Sequence, residues 1–353
     1  MRRLADRPLI SPADVAPSAP GLRVAGAFNP GAARVGDGIV LLLRVAETAE
    51  RSPGTLASPV WDPGRGGPVV DEFDENDPAI ERIDARMFRY RGRLRLTSIS
   101  HLRVARSRDG ESFTIDERPA LRPETPLESW GLEDPRITPL DDRYLITVKA
   151  VGPWGVASEL FSTRDFVRFE RHGVIVPPEN LDVVLFPGRP GGRFAALTRP
   201  VPRALGDPAV WFADGGDLAS WGGHRPVFGP RPGRWDAVRV GAGCPPLATG
   251  AGWLLLYHGA DERDTYRAGP VLLEREAPWR VRARAGHPVL EPELPWEREG
   301  FYGDVVFPTG WVTGDHPDEL LVYYGAADEV TGAAVTSVGE LLDAACGARG
   351  DER

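Results

Sequence analysis

Short apolar runs, each opened by a charged or glycine turn, return along this chain at a spacing of roughly fifty residues. They read DGIVLLLRV from Asp37, RGRLRLTSISHLRVARS from Arg91, DDRYLITVKAV from Asp141, GGRFAALTRPV from Gly191, GWLLLYHGAD from Gly252 and DELLVYYGAAD from Asp318. Within each unit the apolar positions alternate or run on continuously between turn signals, a period near 2 that predicts strands. Two units share an ending: SRDGESF from Ser107 and STRDFVRF from Ser162 each set an aspartate in a turn just ahead of phenylalanine, as equivalent hairpins would. Helical periodicity is confined to the tail SVGELLDAACGARGD, where Leu341, Leu342 and Ala345 form one apolar stripe.

Radial repetition of strand units predicts an all-β fold, a β-propeller with a short C-terminal helix. If the first and last segments complete one blade together, the repeat count gives five blades. A β-sandwich is the competing arrangement. On this reading residues 1–20 form an N-terminal extension, 21–340 the five-bladed propeller and 341–353 a tail. Strand ends of a propeller converge on its axis, so polar residues far apart in sequence meet in one funnel.

Composition sharpens this picture in three ways. The 41 glycines and 35 prolines among 353 residues, with 42% apolar residues, fit many short strands joined by turns. A net charge of -9 leaves no broad basic face for nucleic acid or an anionic membrane. Cys244 and Cys346 stand far apart without a CxxC spacing, so neither a disulfide framework, a zinc site nor any other metal centre is indicated. The start MRRLADRPLISPADVAPSAP lacks an apolar signal core and no run of about 20 apolar residues follows, which predicts a soluble cytoplasmic protein. The cations are nearly all arginine, a coding bias that also supplies rigid forks for carboxylates, phosphates and sugar hydroxyls.

Several polar residues interrupt the apolar strands: Asn29, Arg44, Asp134, Asn180, Asp182, Arg199, Arg239, His258 and Asp328. A charge in a buried strand is costly unless it is paired or meets a polar ligand. Structural ion pairs, such as Asp134 with Arg136, account for any one of them; a recurrence in nearly every repeat points to one shared polar site. Its inventory holds an acid able to protonate a leaving oxygen, arginines and a histidine able to hold an anion, and amides and carboxylates suited to sugar hydroxyls. Tryptophans could stack on sugars, although Trp61, Trp221 and Trp311 read equally well as packing residues. No GxxxxGK[ST], GxSxG, HExxH or strand-borne GxGxxG occurs. The acidic run DEFDEND from Asp71 lacks the glycine and terminal glutamate of an EF-hand and reads as a solvated insertion.

The motifs GLEDPRIT from Gly131, FNPGAA, LLLRV, DVVLFP, LTRP, YHGA, VVFPTG and YYGAADEVTG follow one another between about Phe28 and Ala334. Together they resemble glycoside hydrolase family 130, the β-mannoside phosphorylases and related β-mannosidases. The resemblance implies a five-bladed propeller with its site on the axis and inverting cleavage of a β-linked mannoside. It implies phosphate as co-substrate, α-mannose 1-phosphate as product and no cofactor. Asp134 would then be the proton donor, working through a sugar hydroxyl, with Pro135 fixing the backbone and Glu133 or Arg136 orienting it.

By the same matching, Asn29, Arg44, Asn180, Arg239 and Asp328 would line the mannose subsite, with Phe307 nearby. Arg199, His258 and Tyr266 would face phosphate. Two positions depart from the family pattern: Arg239 stands where a lysine is usual, and Glu179 stands where an arginine can help hold phosphate. A carboxylate there repels phosphate but could activate water, so an inverting mannosidase with Glu179 as base is the alternative. A non-catalytic glycan-binding propeller is the alternative of another class. Association into a homo-oligomer is left open, since the surface loops carry no interface signal.

Overall fold

The computed structural model describes residues 1–314, 316 and 318–347. The fold is all-β apart from short 3-10 turns, one helical turn at Pro295–Arg298 and the C-terminal helix Val338–Cys346. Ser337 caps that helix by accepting from the Glu340 backbone N–H, while Leu341 and Ala345 supply its buried face. Residues 348–353 of the expected tail lie outside the described residues.

Every long apolar run of the sequence is a strand. Gly38–Ala49, Ser98–Ser107, Arg143–Gly152, Phe194–Pro200, Gly252–Ala260 and Glu319–Ala326 each occupy an interior position in an antiparallel meander. The run from Arg91 is the exception in detail. It breaks at Thr97, so that Arg93–Leu96 belongs to a small separate sheet with Ile80–Arg82 and Met87–Tyr90, while Ser98–Ser107 continues in the main body. A two-stranded ribbon, Thr55–Asp62 with Gly67–Asp74, precedes it, and the acidic run from Asp71 lies at its mostly exposed end.

The main body consists of successive antiparallel meanders. Leu22–Val35, Gly38–Ala49, Ser98–Ser107 and Thr114–Ile115 form the first, and Gly131–Leu140 through Phe169–Val176 the second. These two count as one eight-stranded sheet only because Gly131 meets Ser100 at a single parallel register. Asn180–Leu185 through Gly222–Phe228 make the third and Arg239–Ala242 through Val281–Arg284 the fourth. The last joins Val306–Thr313, Glu319–Ala326 and Val330–Ser337, to which the chain's own start, Arg2–Arg3, adds a strand.

No sheet closes on itself among the described residues, but the packing between sheets does go round. Leu42 and Val104 of the first meander pack with Ile146 and Phe161 of the second. Leu145 and Leu160 of the second pack with Val183 and Leu185 of the third. Val184 and Phe186 then meet Leu255 and Tyr257 of the fourth, and Leu254 and Leu256 meet Val322 and Tyr324 of the last. Tyr323 and Ala333 of the last complete the circuit against Leu41 and Leu43 of the first. Neighbouring residues of one strand thus enter opposite interfaces. This explains why the runs are continuously apolar instead of alternating with polar residues: both faces are buried, each large side chain contributing about 1.5–3 kcal/mol by removal from water.

Of the tryptophans weighed as stacking platforms, Trp61, Trp221 and Trp311 all pack into these clusters. No helix among the described residues is long and apolar enough to cross a membrane.

Candidate active site

First strands of neighbouring meanders meet, Leu22–Val35 with Gly131–Leu140 and Val306–Thr313, and Asn180–Leu185 with Gly131–Leu140 and Arg239–Ala242, and these inner strands with the strands beside them carry the site. Three of them share one irregularity. The ladder slips between Phe28 and Gly31, between Glu133 and Arg136, and between Leu181 and Val184. In each bulge a short polar residue takes a left-handed backbone: Asn29 at φ 47°, Asp134 at φ 47° and Asp182 at φ 55°. Asn and Asp are the non-glycine residues that adopt this conformation most readily. Proline follows Asn29 and Asp134, and a bulge is a place where its missing N–H leaves no ladder bond unmade. The acid, proline and β-type residues of GLEDPRIT are therefore the sequence of a bulge that turns Asp134 inward.

Asp134 is buried and fully partnered. Its Oδ1 accepts from Asn29 Nδ2 at 2.8 Å and from Arg44 at 2.9 Å, and its Oδ2 accepts from Lys149 Nζ at 2.6 Å. Arg44 also donates to Glu133 at 2.7 Å and lies over the Phe28 ring. Arg136 braces the bulge from behind, donating to the Asp134 carbonyl at 2.8 Å and to Asp182 Oδ1 at 3.0 Å. Close approach is needed on the other side: a Cβ on Gly325 would sit 1.8 Å from Asn29 Oδ1.

Asp182 gathers a second set of donors. Lys149 reaches its Oδ1 at 3.1 Å, while Arg199 at 2.8 Å and His258 Nε2 at 3.4 Å meet its Oδ2. Phe307 closes this side, its ring 4.2 Å from that of His258 and 5.5 Å from Lys149 Nζ. Tyr266 lies beside both rings and accepts from Arg239 at 2.7 Å. Asp134 and Asp182 are sealed in, whereas the side chains of Arg44, Glu133, Lys149 and Arg199 keep 11–15% exposure, so the cluster opens to solvent on their side. Asn29 Oδ1 and His258 Nδ1 are buried without a protein partner, which marks places a ligand or water can satisfy.

The charges are strongly perturbed. Burial alone would push Asp134 up, but Lys149, Arg44 and Arg136 outweigh it and hold the carboxyl below the usual range. Asp182 is held well down against burial by Lys149, Arg199 and His258. Glu133 goes the other way: burial raises it, and the neighbouring Asp134 adds to that against the pull of Arg44. Burial depresses His258 to about 4 despite Asp182, leaving a neutral ring at pH 7. Asp328 is half-buried with a left-handed backbone; burial, opposed by Arg44 and assisted by Asp134, lifts its carboxyl to about 6.

The structure therefore brings Asn29, Arg44, Asp134, Arg199, Tyr266, His258 and Phe307 into one continuous cluster, with Arg239 joined through Tyr266 and Asp328 within the reach of Arg44's charge. Asn180 sits at the edge, where its Oδ1 accepts from the Arg199 backbone N–H at 2.9 Å. Glu179 stands apart: its carboxylate takes the Val156 backbone N–H at 3.3 Å and Arg203 at 2.9 Å, with no hydrogen bond to the cluster. Two cavities, one about Trp61 and Arg122 and one about Phe169 and Arg171, lie beside the cluster; Ser100 in the wall of the first touches it through Arg44 and Glu133. Among the described residues no group of three or more His, Cys, Asp or Glu side chains is placed to hold a metal.

Sequence reasoning passed over Lys149, Arg86 and Tyr302. Arg86, from the small insertion sheet, lies 3.8 Å over the Tyr302 ring, and Tyr302 donates to Asp264, which also pairs with Arg239 at 3.2 Å. Nothing in the local sequence of Arg86 announces this contact. Lys149 did carry a signal: it is the only lysine among the 42 lysine and arginine residues.

Comparison with known proteins identifies the family. A family model for glycoside hydrolase family 130, described as beta-1,4-mannooligosaccharide phosphorylase, matches residues 78–346. A beta-1,2-mannobiose phosphorylase of Listeria innocua is 41% identical over 345 residues, 96% of this chain and 97% of its own. A 1,2-beta-oligomannan phosphorylase of a Thermoanaerobacter species is 39% identical over 69% of this chain and 80% of its own. The solved structure of the Listeria innocua enzyme with beta-1,2-mannobiose superposes with a TM-score of 0.93 at 40% identity, covering 98% of both chains. The chain thus belongs to glycoside hydrolase family 130.

Proposed function

We propose that this protein is a β-mannoside phosphorylase acting on β-1,2-linked mannobiose or short β-1,2-mannan, with inversion and release of α-mannose 1-phosphate. The observation that carries the reading is the pair of adjoining carboxylates, Asp134 and Asp182, each turned inward by a bulge, the second surrounded by anion-binding side chains. The extent and level of likeness to the two β-1,2-mannan phosphorylases supports the linkage.

In this reading Asn29, Arg44, Arg239 and Asp328 hold the mannose hydroxyls and Phe307 flanks the ring, with Asn180 fixing the Arg199 backbone. Arg199, His258 and Tyr266 receive hydrogenphosphate. Neutral His258, its Nε2 facing Asp182, keeps Nδ1 free to accept the P–OH. A phosphate oxygen forms the new bond to C1 as the glycosidic C–O bond breaks. Asp134 supplies the proton to the departing oxygen through a glycone hydroxyl, and the proton that hydrogenphosphate loses restores the balance. Water as nucleophile would need a base, and the commitment of Glu179 to Val156 and Arg203 argues against the hydrolytic alternative.

The five antiparallel meanders, joined in a circuit by five apolar interfaces, support a five-bladed propeller over residues 21–340, with residues 1–20 laid along the last blade through Arg2–Arg3, Leu4 and Leu9. The test of function is product analysis with β-1,2- and β-1,4-mannobiose, with and without inorganic phosphate. Mannose 1-phosphate from the β-1,2 substrate, formed only with phosphate, is expected. Free mannose at the same rate without phosphate would overturn the proposal.

A further inference from the structure

We propose that Lys149 is the positioning residue that links the proton donor to the phosphate subsite: one ammonium shared by Asp134 and Asp182 lets an anion beside Arg199 and His258 change how firmly the Asp134 carboxylate is held. The inference rests on the reading of Asp134 as donor and of Arg199 and His258 as phosphate ligands.

Three observations carry it. Lys149 stands on Arg143–Gly152 as the register partner of Glu133, directly facing the bulge that presents Asp134. Its Nζ lies 2.6 Å from Asp134 Oδ2 and 3.1 Å from Asp182 Oδ1. The far oxygen of Asp182 is the one that Arg199 and His258 occupy, so Asp182 connects the two halves of the site. The other groups facing Lys149 are Glu133 and Arg136 from its partner strand and the ring of Phe307. Arg136 is bound to the Asp134 carbonyl and to Asp182 and does not reach the Asp134 carboxylate, so Lys149 is the one cation bridging both carboxylates among the described residues.

A chain that uses arginine for every other side-chain cation but histidine keeps one lysine here. A compact ammonium can sit between two carboxylates and shift from one to the other; a planar guanidinium needs a wider, fixed arrangement. In the free protein Lys149 keeps Asp134 ionised, the wrong state for a proton donor. Hydrogenphosphate at Arg199 competes with Asp182 for that guanidinium, Asp182 draws more on Lys149, and the hold on Asp134 loosens. Asp134 is then readied to carry a proton only when the nucleophile is in place, which disfavours transfer to water.

Because the lysine is unique, its side-chain nitrogen can be read alone. The experiment is NMR of full-length protein labelled with lysine-15Nζ, titrated with inorganic phosphate, alongside Arg199→Met. A saturable shift of the Lys149 signal in the wild type, lost in Arg199→Met, is expected. An unmoved signal at phosphate concentrations that saturate turnover would overturn the inference. Product analysis on the same sample keeps the two readings separate: absence of mannose 1-phosphate sinks the phosphorylase reading, while the nitrogen signal reports on Lys149 either way. The companion variant is Lys149→Met, assayed in the synthetic direction, where Asp134 must be a carboxylate. The acidic limb of its pH profile should move up by about one unit or more, and in the phosphorolytic direction its KM for phosphate should rise about tenfold. A uniform drop in kcat with limb and KM unmoved would make Lys149 a plain structural ion pair. If Lys149→Met does not fold, the nitrogen titration of the wild type decides.

Discussion

Asp134→Asn tests the assignment of the proton donor without changing the shape of the bulge. The asparagine keeps an acceptor for Asn29 or Arg44 but leaves Lys149 facing an uncharged group. Loss of a general acid lowers turnover by about 10²–10⁴, a rise in the barrier of about 3–5 kcal/mol. That range overlaps the cost of breaking a buried ion pair, about 3–5 kcal/mol of stability, so a rate on one substrate cannot separate chemistry from damage. Leaving-group dependence can. With β-1,2-mannobiose the departing oxygen needs a proton; with 2,4-dinitrophenyl β-mannoside it leaves as a stable anion. At saturating phosphate the deficit of Asp134→Asn should shrink to about tenfold or less on the aryl substrate. Thermal unfolding of the variant, run in parallel, gives the folded fraction. Equal deficits on both substrates, in protein shown to be folded, would refute the role of Asp134 as acid and leave it a positioning group.

Gly325→Ala should act at a distance from its own chemistry, because a Cβ there would meet Asn29 Oδ1 at 1.8 Å and push it off Asp134. Folded protein with kcat lowered about tenfold or more, while far-UV circular dichroism stays unchanged, is the expected result. Glu179→Gln should leave phosphorolysis within about threefold of wild type, since its carboxylate bonds outside the cluster; a large loss would restore it as a base. Asp328→Asn should stabilise the protein at pH 7. The carboxyl of Asp328 rises from 3.8 to about 6 on folding, so the folded state binds more protons between those values and stability falls as pH climbs through them. The gain from Asn is therefore of order 3 kcal/mol above pH 6 and fades towards pH 4, while mannoside KM rises; denaturant unfolding across that range checks the sign.

Most of the fold was legible because strand burial leaves a local trace. Leu254, Leu255 and Leu256 are adjacent in sequence and all buried, two in one interface and one in the other, so the continuity of the run announces a strand covered on both faces. The break at Thr97 was not legible. Arg93–Leu96 and Ser98–Ser107 have the same alternating chemistry and are separated by where they pair, which composition does not encode. The same holds for the insertion sheet, whose Arg86 reaches Tyr302 across more than half of the chain.

The site was legible in part for a related reason. Charges such as Arg44, Asp134 and His258 stand out because they interrupt apolar runs, and a costly interruption calls for a partner. What the sequence pattern did not convey is which partner. Lys149 interrupts its strand just as plainly as Arg44 does, and what sets it apart is not its charge but its departure from arginine. Coding bias erases most of the choice between the two residues; where the rarer one persists, selection for a compact, movable ammonium is the physical explanation that the geometry around Asp134 and Asp182 supports. The three bulges make the same point for the backbone. Asn29, Asp134 and Asp182 share no common motif beyond a short polar side chain followed by proline or valine, but all three adopt a left-handed backbone at a register slip on an inner strand. Function here is carried by a repeated irregularity of regular strands, and an irregularity of one residue in each is too brief to show as a period.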